Sequence, residues 1–159
     1  MNKKWVAVLA ALAVTAGAFA EKFPSYLEVS GTTLTGYTFD VPANLVIPNG
    51  ITKIADSAFM LCFLPLKSVT IPGSVRKIDD HAFAGTSLES VTIANGVTEI
   101  GEGVFYGCKS LERVTIPDSV TEIGDRAFED CKSLASVTIP NGITEIGDDM
   151  FSGCKSLRA

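Results

Sequence analysis

The sequence predicts an α/β repeat solenoid, in which each coil of about 23 residues carries a main strand, a short strand and a helical turn. Three observations predict it. The segment Leu111–Ser133 (LERVTIPDSVTEIGDRAFEDCKS) overlays the next one, Leu134–Ser156 (LASVTIPNGITEIGDDMFSGCKS), at a 23-residue offset. Within the first of these, Leu111, Val114 and Ile116 fall on one side and Arg113 and Thr115 on the other, the period of a half-buried strand. Turn chemistry then follows the strand: Pro117-Asp118-Ser119 in one copy and Pro140-Asn141-Gly142 in the other.

From the start of the chain, residues 1–20 (MNKKWVAVLAALAVTAGAFA) read as a secretory signal peptide. Lys3 and Lys4 supply the charged start, Trp5 to Val14 the apolar run, and Ala18-Phe19-Ala20 the small residues expected before a cut after Ala20. Even counted on through the small residues to Ala20, the apolar stretch of roughly 15 residues is short for a membrane span, which needs about 20, and no later segment is apolar enough to span. The expected location is therefore outside the cytoplasm: secreted, periplasmic or cell-surface.

Residues 21–44 lack the repeat and hold two short alternating pieces, Tyr26–Val29 and Leu34–Phe39, divided by Ser30-Gly31. They read as two strands and a turn, placed where a solenoid needs an end unit to cover its first coil. Residues 45–159 read as the solenoid itself. Its repeats open at Leu45, Leu66, Leu88, Leu111 and Leu134, and a sixth begins at Leu157. The Ile column (Ile47, Ile71, Ile93, Ile116, Ile139) and the Phe column (Phe59, Phe83, Phe105, Phe128, Phe151) stay in phase. Between the Phe and the next Leu the first repeat is one residue longer than the last three, and the second one shorter. Those differences belong in the loop joining one coil to the next. After the turn, Val120 and Ile123 predict a short extended segment. Gly124-Asp125 reads as a turn and helix N-cap, with Ala127, Phe128 and Cys131 on the helical turn behind it.

The recurring pattern LxxVTIPxxVTxIGxxAFxxCxS, repeated from Leu45 to Ser156, resembles the BspA-like leucine-rich repeats of bacterial surface proteins. The resemblance implies a right-handed leucine-rich-repeat solenoid, exported, of a kind used for adhesion or protein recognition. One departure matters. Where the general leucine-rich pattern has an asparagine, this chain has Gly50, Ser74, Gly96, Ser119 and Gly142, so the usual asparagine ladder does not carry over.

With a net charge of −5 the chain offers no basic footprint for nucleic acid or anionic lipid. Cys62, Cys108, Cys131 and Cys154 share one column, three residues after the Phe. Ladder neighbours send their Cβ atoms in parallel directions, which suits a disulfide badly, and a straight line of thiols makes no tetrahedral metal site. They read as buried free thiols, with a strained bridge between adjacent cysteines as the alternative. His81 stands without a second histidine and reads as a solvated loop residue. Glu99, Glu122 and Glu145 form one acidic stripe, and Asp56, Asp80, Glu102, Asp125 and Asp148 another, with Lys109, Lys132 and Lys155 placed to relieve their repulsion. Calcium-binding repeat patterns are absent. Every acidic candidate recurs by repeat, whereas catalysis needs one asymmetric constellation, so no enzyme, metal or cofactor is expected.

The expected binding face is the outward side of the main strands, where Thr70, Thr92, Thr115 and Thr138 form a ladder beside Ser68, Ser90, Arg113 and Ser136. A protein or glycan partner is the reading. The alternative is a structural assembly unit, or a fragment of a longer array. It would associate end to end through the unpaired edge at Ser136–Ile139 and an exposed Ile143, Ile146, Met150 and Phe151.

Overall fold

The computed structural model describes residues 23–62 and 64–158. The signal-peptide reading of residues 1–20 lies outside them. The described chain opens with an antiparallel hairpin, β1 (Leu27–Ser30) and β2 (Thr33–Tyr37). A long and a short strand then alternate. They are β3 (Asn44–Val46), β4 (Lys53–Ile54), β5 (Ser68–Ile71), β6 (Lys77–Ile78), β7 (Ser90–Ile93), β8 (Glu99–Ile100), β9 (Arg113–Thr115), β10 (Glu122–Ile123) and β11 (Ser136–Thr138).

Two sheets result. The long strands form one parallel sheet in the order β11-β9-β7-β5-β3, and the short strands a second, β2-β4-β6-β8-β10, with β1 added antiparallel at its end. Register follows the repeat without slip: Val69 pairs with Val91, Thr70 with Thr92 and Ile71 with Ile93. A slip of one residue would turn the buried Val and Ile columns to solvent, so the period of the sequence and the register enforce each other. The core lies between the sheets. Leu66, Ile71, Ile78 and Phe83 of the second coil are fully buried, and their equivalents in the coils beside them lie above and below.

The side chains of the Phe column stack face to face, with centroids 5.1 Å apart for Phe59–Phe83, 5.8 Å for Phe83–Phe105, 5.5 Å for Phe105–Phe128 and 5.6 Å for Phe128–Phe151. Tyr37 of the hairpin continues this spine, 5.3 Å from Phe59. Its hydrogen-bonding contact with Cys62, helped by burial, pushes the phenol up to about 12.

The helical turn expected on the third side of each coil is not there; the described residues contain no helix, and the fold is a β-solenoid of about five turns. In an α-helix every N–H bonds four residues back along its own chain. Here only alternate ones bond locally: the Ala84 N–H donates to the His81 carbonyl and the Thr86 N–H to that of Phe83. Those of His81, Phe83 and Gly85 donate instead to the carbonyls of Glu102, Val104 and Tyr106 in the next coil. A left-handed residue at every fourth position makes this possible, as at His81 and Gly85 (φ 54° and 68°) or Arg126 and Asp130 (φ 56° and 57°). The chain of tight turns puts Ala127, Phe128 and Cys131 inward together, as a helical turn would. The apolar spacing therefore fits both.

The N-cap reading of the aspartate column changes with it. The Asp80 carboxylate accepts the Glu102 N–H at 2.9 Å, and that of Asp125 accepts the Asp148 N–H at 2.8 Å, so these side chains tie one coil to the next. At the far end, Met150 is buried (2% exposed) rather than exposed as expected, and Ile143 and Phe151 are half-buried; Ile146 alone of that set stands out, 57% exposed.

Candidate binding faces

Strand alternation builds the face that the sequence singles out. In β5 and β7 the Val and Ile turn inward, while Thr70 and Thr92 are exposed and Ser68 and Ser90 half-buried on the outer side. Arg113 and Thr115 on β9, and Ser136 and Thr138 on β11, are exposed there too. Parallel register aligns Ser68, Ser90, Arg113 and Ser136 in one row, and Thr70, Thr92, Thr115 and Thr138 in the next. With strands about 4.8 Å apart, each row of four runs roughly 15 Å across the sheet. All eight predicted residues thus share one surface, whose charge comes from Arg113.

Two members escaped the sequence. Leu45 pairs with Val69, so β3 adds Asn44 to the first row and an exposed Val46 to the second. The Ser68 hydroxyl donates to the Asn44 side-chain oxygen at 2.8 Å. Laying Leu45 over Val69 instead of over Leu66 would have found both.

Inward of this face, small polar groups do the work of the missing asparagine ladder. The Gly96 N–H donates to the Ser119 hydroxyl at 3.0 Å, and that hydroxyl donates to the Val97 carbonyl at 2.7 Å. The Gly50 N–H reaches Ser74 in the same way at 3.3 Å. The close approach needs glycine: a Cβ on Gly73 would lie 2.2 Å from the Asn95 carbonyl oxygen.

The four cysteines are free. The Cys108, Cys131 and Cys154 thiols donate to the carbonyls of Phe83, Phe105 and Phe128 at 3.0–3.2 Å, each one coil back. Thr86 takes the column's place in the second coil, its hydroxyl 3.3 Å from the Cys108 sulfur. Burial pushes the Cys108 thiol up to about 11, and raises that of Cys131, where the neighbouring Cys108 and Cys154 add to the effect. Thiols so protonated are poor nucleophiles and poor metal ligands at neutral pH. Their hydrogen bonds tie each coil to the one behind it.

The acidic stripes line a groove of about 680 Å³ on the short-strand side, with Glu99, Glu122, Asp125, Glu145 and Asp148 around it. Of the stripe residues Glu99 is paired, with Lys77 of the coil before it, while Lys53 pairs at 2.6 Å with Asp79, outside both stripes. Lys109, Lys132 and Lys155 form none of the ion pairs among the described residues. Nor does any group of His, Cys, Asp and Glu among those residues have the disposition to hold a metal ion. His81 sits on a left-handed turn, against Gly103 of the next coil.

Two in-register sheets, an aromatic spine and an exposed strand face define a class: a stacked-coil repeat protein with its polar surface on the strands. The sequence profile of the BspA type leucine rich repeat region matches residues 37–158 as six copies, and the chain belongs to that family. The match begins at Tyr37, where the aromatic spine begins. Solved structures agree. A leucine rich cell surface protein from Faecalibacterium prausnitzii is 35% identical with a TM-score of 0.70, the alignment covering 86% of this chain and 42% of that one. The leucine rich repeat protein of T. pallidum is 29% identical over 85% of this chain and 79% of its own, with a TM-score of 0.67. The pneumococcal vaccine antigen PcpA is 26% identical over 83% of this chain and 33% of its own, with a TM-score of 0.75. The chain thus spans less than half the length of two of these three. No curated protein sequence matches the chain significantly. Proteins of this repeat family are generally structural or binding modules rather than catalysts. Among the described residues no helix is long and apolar enough to cross a membrane.

Proposed function

We propose that the chain is a secreted or cell-surface recognition module that holds a protein or glycan partner across the outer face of its long-strand sheet, in an adhesion-like role. One observation carries the reading: Thr70, Thr92, Thr115 and Thr138, with Ser68, Ser90, Arg113 and Ser136 beside them, form one ordered polar surface. Core packing uses none of these side chains. A row of hydroxyls stabilises strand pairing in its own right; the Ser68 hydroxyl proton is spent on Asn44, while the exposed threonine hydroxyls of the second row face outward, within reach of a partner. The cell-surface description of the F. prausnitzii structure and the leading segment of residues 1–20 support an exported setting. Capture from extracellular-matrix proteins and glycans tests the reading, with Thr92→Glu, Arg113→Glu and Thr115→Glu combined in one comparison variant. Loss of capture in that variant is expected; equal capture would remove the strand face from the account.

A second reading, end-to-end assembly, draws on β11 as the edge of its sheet among the described residues and on the exposed Ile146. Edges of that kind pair readily. Light scattering separates the two, since a monomer across a concentration series contradicts assembly.

A further inference from the structure

The coils are periodic except at one corner. Between the aromatic ring of a coil and the leucine opening the next strand lie residues 60–65 in the first coil, 84–87 in the second and 106–110 in the third. The loops hold six, four and five residues, so the second is shorter than both its neighbours. A cavity of about 500 Å³ lies at this corner, lined from Met60 and Leu61 across Ala84–Ser87 to Tyr106 and Asp130 and within the range of small-ligand pockets.

Its lining is unlike the rest of the surface. Met60, Leu61 and Tyr106, three of the six exposed large apolar side chains among the described residues, line it at 41–50% exposure. Leu61 also has a left-handed backbone (φ 51°), at a position held by Gly85, Gly107, Asp130 and Gly153 in the other coils. Backbone preference favours glycine at that position and water favours a polar side chain. Leucine satisfies neither, and its side chain lies over Gly85, where a Cβ would come within 2.6 Å of it. Fold stability alone gives no reason for it.

We propose that this notch binds one neutral saccharide ring, at a site distinct from the strand face. The lining calls for a ligand with one apolar face and a rim of hydroxyls. The Tyr106 ring, together with Met60 and Leu61 in the same lining, offers C–H groups an apolar platform, and Gly85 and Gly107 add no side chain to fill it. Lys109 and Asp130, which form no ion pair among the described residues, present a donor and an acceptor. Hydroxyls donate and accept, so they match both. One cation and one carboxylate also leave the notch without net charge in an otherwise acidic protein, which favours a neutral occupant over an ion. A fatty chain would leave both charges unpaired.

Saturation-transfer NMR of the purified protein tests this with the methyl glycosides of glucose, galactose and N-acetylglucosamine, each at about 10 mM to reach millimolar dissociation constants. Transfer to at least one sugar is expected. Tyr106→Phe should keep it, Tyr106→Ala should weaken binding about tenfold or more, and Asp130→Asn should weaken it as well. Tyr106 is exposed, so an unchanged melting transition will verify that the alanine variant is folded. No transfer from any of the three sugars, or transfer unaltered by Tyr106→Ala, overturns the proposal. Loss on Thr115→Glu without loss on Tyr106→Ala would place the sugar on the strand face and equally overturn the notch.

Discussion

Arg126 distinguishes the two accounts of the third side by the sign of one energy difference. Its φ of 56° lies in the left-handed region, where an L side chain costs roughly 1–2 kcal/mol. Glycine escapes that cost but gives up about 0.5–1 kcal/mol through the greater freedom of its unfolded chain. Arg126→Gly should therefore be about 0.5–1 kcal/mol more stable than Arg126→Ala. Both variants lose the exposed pairing with Glu129 (3.7 Å), so that contribution cancels in the comparison. Were this segment a helical turn, alanine would be preferred by about 1 kcal/mol. Urea unfolding of the two proteins, followed by far-UV circular dichroism, measures the difference. An alanine variant more stable than the glycine variant would refute the tight-turn account and restore the helix.

The aromatic spine predicts a gradient. Phe105→Ala empties a fully buried site between two rings and should cost about 3–5 kcal/mol, whereas the half-buried Phe151, with one ring neighbour, should cost less than half as much in the same unfolding assay. Gly124→Ala would place a Cβ 2.5–2.8 Å from backbone atoms of Gly101 and Glu102. Backbone cannot yield as a side chain can, so about 1–3 kcal/mol of destabilisation is expected, read from the denaturation midpoint. The cysteine column predicts a pH dependence. A thiol at about 11 in the fold against 9.0 unfolded holds its proton more tightly when folded, so Cys108 contributes stability in full below pH 9.0. That contribution should fade as pH rises towards 11, and thermal melts should show a shallower decline in Cys108→Ala than in the parent.

The sequence made some of this plain and hid the rest for physical reasons. Val69, Ile71 and Phe83 recur with their equivalents at a fixed offset, so their columns, the two-sided strands and the eight-residue face follow from periodicity. The tight turns do not. Ala127, Phe128 and Cys131 have helical spacing in either geometry, and the left-handed backbone at Arg126 leaves one trace only, the glycine at position 103 of the preceding coil. Tyr37 stands 22 residues before Phe59, one coil back, yet the stretch around it does not repeat, and its place in the spine is a property of the stack. The notch is the same kind of property. Unequal loops can be counted along the chain, but the cavity exists only once four coils lie side by side, from Met60 in the first to Asp130 in the fourth. Cys131 shows the converse: the column is legible, while its hydrogen bond to the Phe105 carbonyl depends on the coil behind it.

Recognition by the strand face is tested most directly by comparing the affinity of one captured matrix protein or glycan for three proteins: the parent, Thr115→Glu and Tyr106→Ala. The account predicts that Thr115→Glu weakens binding about tenfold or more, equivalent to roughly 1.4 kcal/mol, with its melting transition unchanged. A partner held equally tightly by the parent and by Thr115→Glu would contradict it.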